Sequence, residues 1–294
     1  MTRSVVKGGH AEHGSVIDAA RPVPRILAVV LTLVLTGCPR PPKRDLVVPT
    51  RQKEEVLSIL NTHADLTRTV RATLSVTAKT PGMKKAEKCE GSLAAAYPDR
   101  LRIRGRHDLL DYPPFDIGSD GETWFVHTRF KEHDEIHLGP TRLLDERFDP
   151  TVLLSPSDIV LALGVGRLTD DPPRRQLILS RHPGFYLIDE WVSNRSGYYR
   201  AKRVTVDPEL MVITRIETHR PDGATDMIAE MRFDPKATAA RSVPTFARIR
   251  LFRQDVFLLE LTLKDRRTGV SLPPRVFTVP NTEDIPAVYR HDSR

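Results

Sequence analysis

Apolar residues recur at every second position in one stretch of this chain after another, and that period commits it to β-sheet. Val70, Ala72, Leu74, Val76 and Ala78 share one parity, while Arg71, Thr73, Ser75, Thr77 and Lys79 take the other. Leu101 and Ile103 alternate with Arg100, Arg102 and Arg104. Met227, Ala229, Met231 and Phe233 alternate with Asp226, Glu230 and Arg232, and Phe257, Leu259, Leu261 and Leu263 with Glu260, Thr262 and Lys264. Successive strand residues point to opposite faces, so each stretch reads as an antiparallel strand with one face on a core and one in water. Ser119-Asp120-Gly121 and Pro221-Asp222-Gly223 supply turns between strands. The spacing predicts about ten or eleven strands.

Few helices interrupt this pattern. Val56, Ile59, Leu60 and Ala64 recur at helical spacing after Thr50, a suitable cap, with Glu54 and Glu55 near the positive end of the dipole. A second helix is expected from the Ser155 cap and Pro156, through Ile159, Val160, Leu161 and Leu163, to Gly164. The fold class is mainly β (α+β): a single strongly curved antiparallel sheet forming an open half-barrel, covered by a few helices. An apolar concave face must be covered. Two short helices cover it only in part, so an apolar cavity is expected. By parity, Leu101, Ile103, Met227, Met231, Leu259 and Leu261 are its candidate lining.

The N-terminus carries a second, separate signal. Arg21 and Arg25 precede a ten-residue apolar run, residues 26–35. Ten helical residues span roughly 15 Å, half a bilayer core, which is too short to cross and suits a signal-peptide h-region. The run ends in Leu35-Thr36-Gly37-Cys38, which resembles a bacterial lipobox. In that motif small residues fit the peptidase, the cysteine thiol receives a diacylglycerol, and cleavage falls between Gly37 and Cys38. Residues 1–20 are polar and lengthen the n-region, and a later start codon would account for them. The mature chain would begin at Cys38 outside the cytoplasm, held by acyl chains whose buried methylenes contribute about 0.8 kcal/mol each. No other cofactor is expected. Residues 38–49, rich in proline, read as an extended tether. Residues 50–280 are the domain, and 281–294 a polar, loose tail.

Composition narrows the class. The 294 residues are 39% hydrophobic and 28% charged, enough to bury a core and unlike a disordered or fibrous chain. A net charge of +7, spread along the chain, does not mark a nucleic-acid protein. Two cysteines exclude a disulfide scaffold and a four-cysteine zinc site. With Cys38 consumed by lipid, Cys89 is a lone thiol, read as a small buried hydrophobe.

The order of elements resembles the LolA/LolB group, the periplasmic carrier and outer-membrane receptor of bacterial lipoproteins. The likeness is clearest from Leu66 to Gly164, where a helix leads to strands. Then come Tyr97-Pro98-Asp99-Arg100-Leu101-Arg102-Ile103, an apolar loop, Phe115-Asp116-Ile117-Gly118-Ser119-Asp120-Gly121 and Thr123-Trp124-Phe125-Val126. The resemblance implies a half-barrel with helices as a lid over a cavity that receives acyl chains. It also implies an exposed leucine in the loop after the early strands, at Leu109 or Leu110 here. The two acids flanking that pair, Asp108 and Asp111, depart from the family. The family's cavity arginine has no matching position.

No catalytic constellation is present. His133, Glu135 and His137 would share one strand face, but alternate strand residues sit about 6.8 Å apart, too far for a shared zinc without further ligands. That segment reads as a solvated hairpin. There is no Gly-x-Ser-x-Gly elbow. Gly164-Val165-Gly166 lacks the third glycine of a dinucleotide loop. Arg100, Arg102 and Arg104, with Arg248 and Arg250, read as a solvated sheet face, the alternative being a patch for anionic lipid head groups. The expected function is therefore non-enzymatic: a lipoprotein binding acyl chains in its half-barrel, in lipoprotein or lipid localisation at the outer membrane. Its partners would be membrane lipid, client lipoproteins or another envelope protein. Pro39 stands where some bacteria read an aspartate as a retention signal, which favours the outer membrane. The alternative is a structural lipoprotein with a filled core, acting through a protein partner.

Overall fold

Every alternating stretch folds as a strand. A computed structural model describes residues 48–79, 84–106, 113–130, 133–141, 159–163 except 161, 166–194 except 173, 197–234, 243–252 and 257–291. The first meander holds β1 (Thr69–Lys79), β2 (Glu87–Ala96), β3 (Arg100–Arg106), β4 (Phe115–Asp120), β5 (Thr123–Phe130) and β6 (His133–Pro140). The second holds β7 (Arg175–His182), β8 (Phe185–Asn194), β9 (Gly197–Asp207), β10 (Val212–His219), β11 (Thr225–Arg232), β12 (Phe246–Leu251) and β13 (Phe257–Thr268). β13 returns to pair with β1, at Leu74↔Leu263, Val76↔Leu261 and Ala78↔Leu259, which fuses the two meanders into one sheet. The order across it is β14-β6-β5-β4-β3-β2-β1-β13-β12-β11-β10-β9-β8-β7. The sheet stays open, since its edge strands β14 (Ala287–Arg290) and β7 do not pair.

The expected turns form. Asp120 Oδ1 accepts the amides of Glu122 and Thr123 at 2.9 and 2.7 Å, with Gly121 at φ +103°. Gly223 takes φ +83° between β10 and β11. Helix α1 (Lys53–Leu66) buries Val56, Leu60 and Ala64, the expected stripe. Its start differs from expectation. Gln52 holds the N-cap position with no side-chain bond, and Thr50 instead accepts a hydrogen bond from Arg181. Of the second expected helix, residues 159, 160 and 162 are helical, and Ile159, Ala162 and Leu163 are buried. Its Ser155 and Pro156 lie outside the described residues.

Three expectations are corrected. The described residues form fourteen strands rather than the ten or eleven expected. The histidine segment expected as a hairpin is strand β6. The tail expected to be loose contains β14, which pairs parallel to β6, so the sheet is not purely antiparallel. The cause is an apolar patch on the convex side. Phe125 and Leu138 share the outer parity of Arg102, and with Ile136 they form a second cluster, covered by Val279, Ile285 and Val288. Leaving that patch in water costs more than ordering the segment that covers it.

Candidate functional site

The concave face carries one large apolar cluster that spans both meanders. Leu101, Ile103, Met227, Met231, Leu259 and Leu261 are all at most 5% exposed, and all belong to the main core cluster. That cluster also holds Val56 and Leu60 of α1 and Ile159, Ala162 and Leu163 of the helical turn. The six parity candidates therefore lie on one face beneath a helical cover, as packed core.

Polar fixings seat α1. Lys53 Nζ meets Asp170 Oδ2 at 2.6 Å, and Asp170 Oδ1 accepts the Leu177 amide at 2.6 Å. Burial pulls the Asp170 carboxyl upward, but the Lys53 ammonium and the Leu177 amide outweigh it and hold the group below the usual carboxylate range. Asn61 both donates to the Leu168 carbonyl at 2.9 Å and accepts its amide at 2.8 Å. His63 Nδ1 donates to the Met211 carbonyl at 3.0 Å. Under the C-terminal half of α1, Leu60, His63, Ala64, Leu163, Ile213 and Phe233 line a cleft of about 20 Å³. That is room for about one water, so this cleft as it stands admits no longer chain.

A charged group also sits on this face. Glu190 is 6% exposed on the inner parity of Tyr186 and Ile188, and it meets Lys202 at 3.0 Å and Arg175 at 3.2 Å. The sequence holds a signal for it, a carboxylate at an apolar register position, which pattern reading passed over. Asn61 and Asp170 carry no such signal, because the Leu168 and Lys53 groups that they meet lie more than a hundred residues away.

Four of the five row arginines, Arg102, Arg104, Arg248 and Arg250, are paired with carboxylates. Arg102 grips Asp116 at 2.9 and 2.6 Å, and Arg104 reaches the same carboxylate at 3.2 Å. Arg248 meets Glu260 at 2.8 Å and Arg250 meets Glu230 at 3.3 Å. His137 stacks on Tyr289 at 4.6 Å and contacts His291 at 3.2 Å, while Asp134 pairs with His127 on the other face. Among the described residues no group of three or more His, Cys, Asp or Glu could hold a metal ion. Cys89 is half-buried against the core, and burial followed by the Glu90 charge raises its thiol pKa. Gly37, Cys38, Leu109 and Leu110 lie outside the described residues.

No protein-family model matches the chain, and no curated protein matches it. Solved structures similar in fold include a LolA superfamily protein from Nitrosomonas europaea, at 11% identity and TM-score 0.48, covering 76% of this chain and 97% of that one. A DUF1329 family protein from Desulfovibrio piger matches at 10% identity and TM-score 0.45, covering 78% and 98%. A putative outer membrane lipoprotein-sorting protein domain from Vibrio parahaemolyticus matches at 12% identity and TM-score 0.43, covering 76% and 96%. The functional reading below rests on this chain's own residues.

Proposed function

We propose that this protein is a lipid-anchored envelope lipoprotein that takes up acyl chains on its concave face when α1 lifts. The anchor would be Cys38, freed by cleavage after Gly37, and the domain would face the periplasm at the outer membrane. The observation that carries the reading is the construction of the cover: an apolar face spanning both meanders, with α1 held over it by a narrow stripe and a few polar fixings. Magnitudes favour exchange. Burying Val56 and Leu60 contributes about 1.5–3 kcal/mol each, whereas an acyl chain brings about 0.8 kcal/mol per methylene, so roughly a dozen methylenes outweigh the pair. Leu109 and Leu110 would form the tip that touches the chain or bilayer. No step in this reading is catalytic.

The test is native mass spectrometry of the chain from residue 39 onward, expressed in a bacterial periplasm. Acyl-lipid adducts are expected, lost when Ile213→Trp fills the cleft mouth while the unfolding temperature holds. Bare protein that also ignores added lipopeptide would overturn the reading. The closed cleft favours one alternative, a filled-core lipoprotein that works through a protein partner, and that result would select it.

A further inference from the structure

The convex face carries a depression that acyl binding does not use. It lies across β9, β10, β11 and β12 and holds about 360 Å³, within the usual range of small-ligand sites. A β-bulge makes it. β9 and β10 are in register at Ile213↔Val206 and again at Arg215↔Thr205, so Thr214 is an extra residue. A bulge bends its strand and sharpens its twist. β10 pairs with β11 only from Arg215↔Glu230 onward, while β11 runs on to Arg232 beside Phe246. The two strands part there.

Guanidinium groups surround the opening. Arg215 meets Glu217 at 2.7 Å and Glu230 at 2.8 Å, and Arg248 meets Glu260. Arg232 has no carboxylate partner among the described residues. Its guanidinium carbon lies 5.0 Å from the Phe246 ring centroid, and that of Arg248 lies 5.7 Å from the same centroid. With Arg250, four guanidiniums face the three carboxylates Glu217, Glu230 and Glu260. Two like charges share one ring beside an open depression, and an anion between them relieves their repulsion.

We infer that this depression binds a phosphate-bearing anion. Arg232 and Arg248 are the two arms, and Phe246 positions both. A guanidinium fork takes two oxygens at once, and a tetrahedral phosphate has enough oxygens for two forks. A carboxylate, with two oxygens, fills one fork and leaves the other without a partner.

The experiment is titration calorimetry on the full chain in neutral-detergent micelles, with three probes: inorganic phosphate, phosphatidylglycerol and diacylglycerol. Saturable binding of a phosphate-bearing probe that depends on Arg232 is expected, whereas diacylglycerol, which has no phosphate and reports only on the concave face, should bind Arg232→Gln and the parent alike. Arg232→Gln should weaken binding of the phosphate-bearing probe at least tenfold and Phe246→Leu several-fold, while Arg71→Gln, an exposed arginine on the outer parity of β1, should leave it unchanged. Arg232-dependent binding of phosphatidylglycerol but not of inorganic phosphate assigns a lipid head group, and Arg232-dependent binding of inorganic phosphate assigns the phosphate itself; each supports the site. No saturable binding to either, or equal affinity in Arg232→Gln and the parent, would overturn it. So would an equal loss in Arg71→Gln, which marks a diffuse basic surface. The acyl reading concerns the opposite face, and diacylglycerol reports on it separately from the Arg232-dependent signal.

Discussion

Replacing Arg102 with methionine should cost about 3–5 kcal/mol, the usual penalty for removing one partner of a buried ion pair. Arg102 fastens the C-terminal segment to the convex face. Its Nε and Nη2 donate to the two Asp116 oxygens at 2.9 and 2.6 Å, and its Nη1 donates to the Val276 and Thr278 carbonyls at 3.1 and 3.0 Å. The Arg102 and Asp116 side chains are 14% and 4% exposed, so little water can replace the lost bonds. Methionine keeps apolar length over Phe125 but leaves the carboxylate with Arg104, whose side chain is 51% exposed. For a domain of this size each kcal/mol shifts the midpoint by about 2–4 °C, so a fall of roughly 6–20 °C is expected. Urea unfolding gives the free energy, and limited proteolysis of residues 269–291 reports whether the segment has come loose. Arg104→Met should lose under about 1 kcal/mol. Asp116→Leu added to Arg102→Met should recover part of the loss, since no unpaired charge remains. A loss from Arg102→Met no larger than that from Arg104→Met, or unchanged protection of the segment, would refute the reasoning.

Other outcomes follow from the same geometry. Gly118→Ala would place a Cβ 2.6 Å from the Leu101 carbonyl and 2.8 Å from the Phe125 ring, so it should lose about 1–3 kcal/mol in urea unfolding. His219 is held below its ordinary pKa of 6.5, by burial first and then by Arg200, and neither ring nitrogen has a hydrogen-bond partner among the described residues. The unfolded chain binds the proton more readily, so stability should fall as pH drops below 6.5 and level off once the folded group also titrates. Unfolding midpoints from pH 7.5 to 5 should show that slope, shallower in His219→Gln. Cys89, with its raised thiol pKa, should react with a disulfide reagent at pH 8 well below the rate of a free cysteine, and urea should restore that rate.

The concave face was readable because it obeys a local rule. Leu101, Ile103, Met227, Met231, Leu259 and Leu261 sit inside because their parity puts them there, and every one is buried. α1 shows its stripe for the same reason. The histidine segment misled because an edge-proximal strand can keep polar residues on both faces: Asp134 pairs with His127 outside, and His137 stacks on Tyr289 inside. β14 escaped notice because its four residues are too few to show a period, and its partner β6 lies about 150 residues earlier in the chain.

By itself, then, the chain's alternation determined the sheet, its faces and its turns, because side-chain direction in a strand is set by neighbouring residues alone. The N-terminal motif set an expected address by equally local means. Only the tertiary structure decided which strands meet, that β13 closes onto β1, that α1 is fastened through Asp170 and Asn61, and that Arg102, Arg104, Arg248 and Arg250 are spent on carboxylates while Arg232 is not. These are pairings between residues distant in sequence, chosen by the shape and charge of surfaces that do not exist until the sheet has formed.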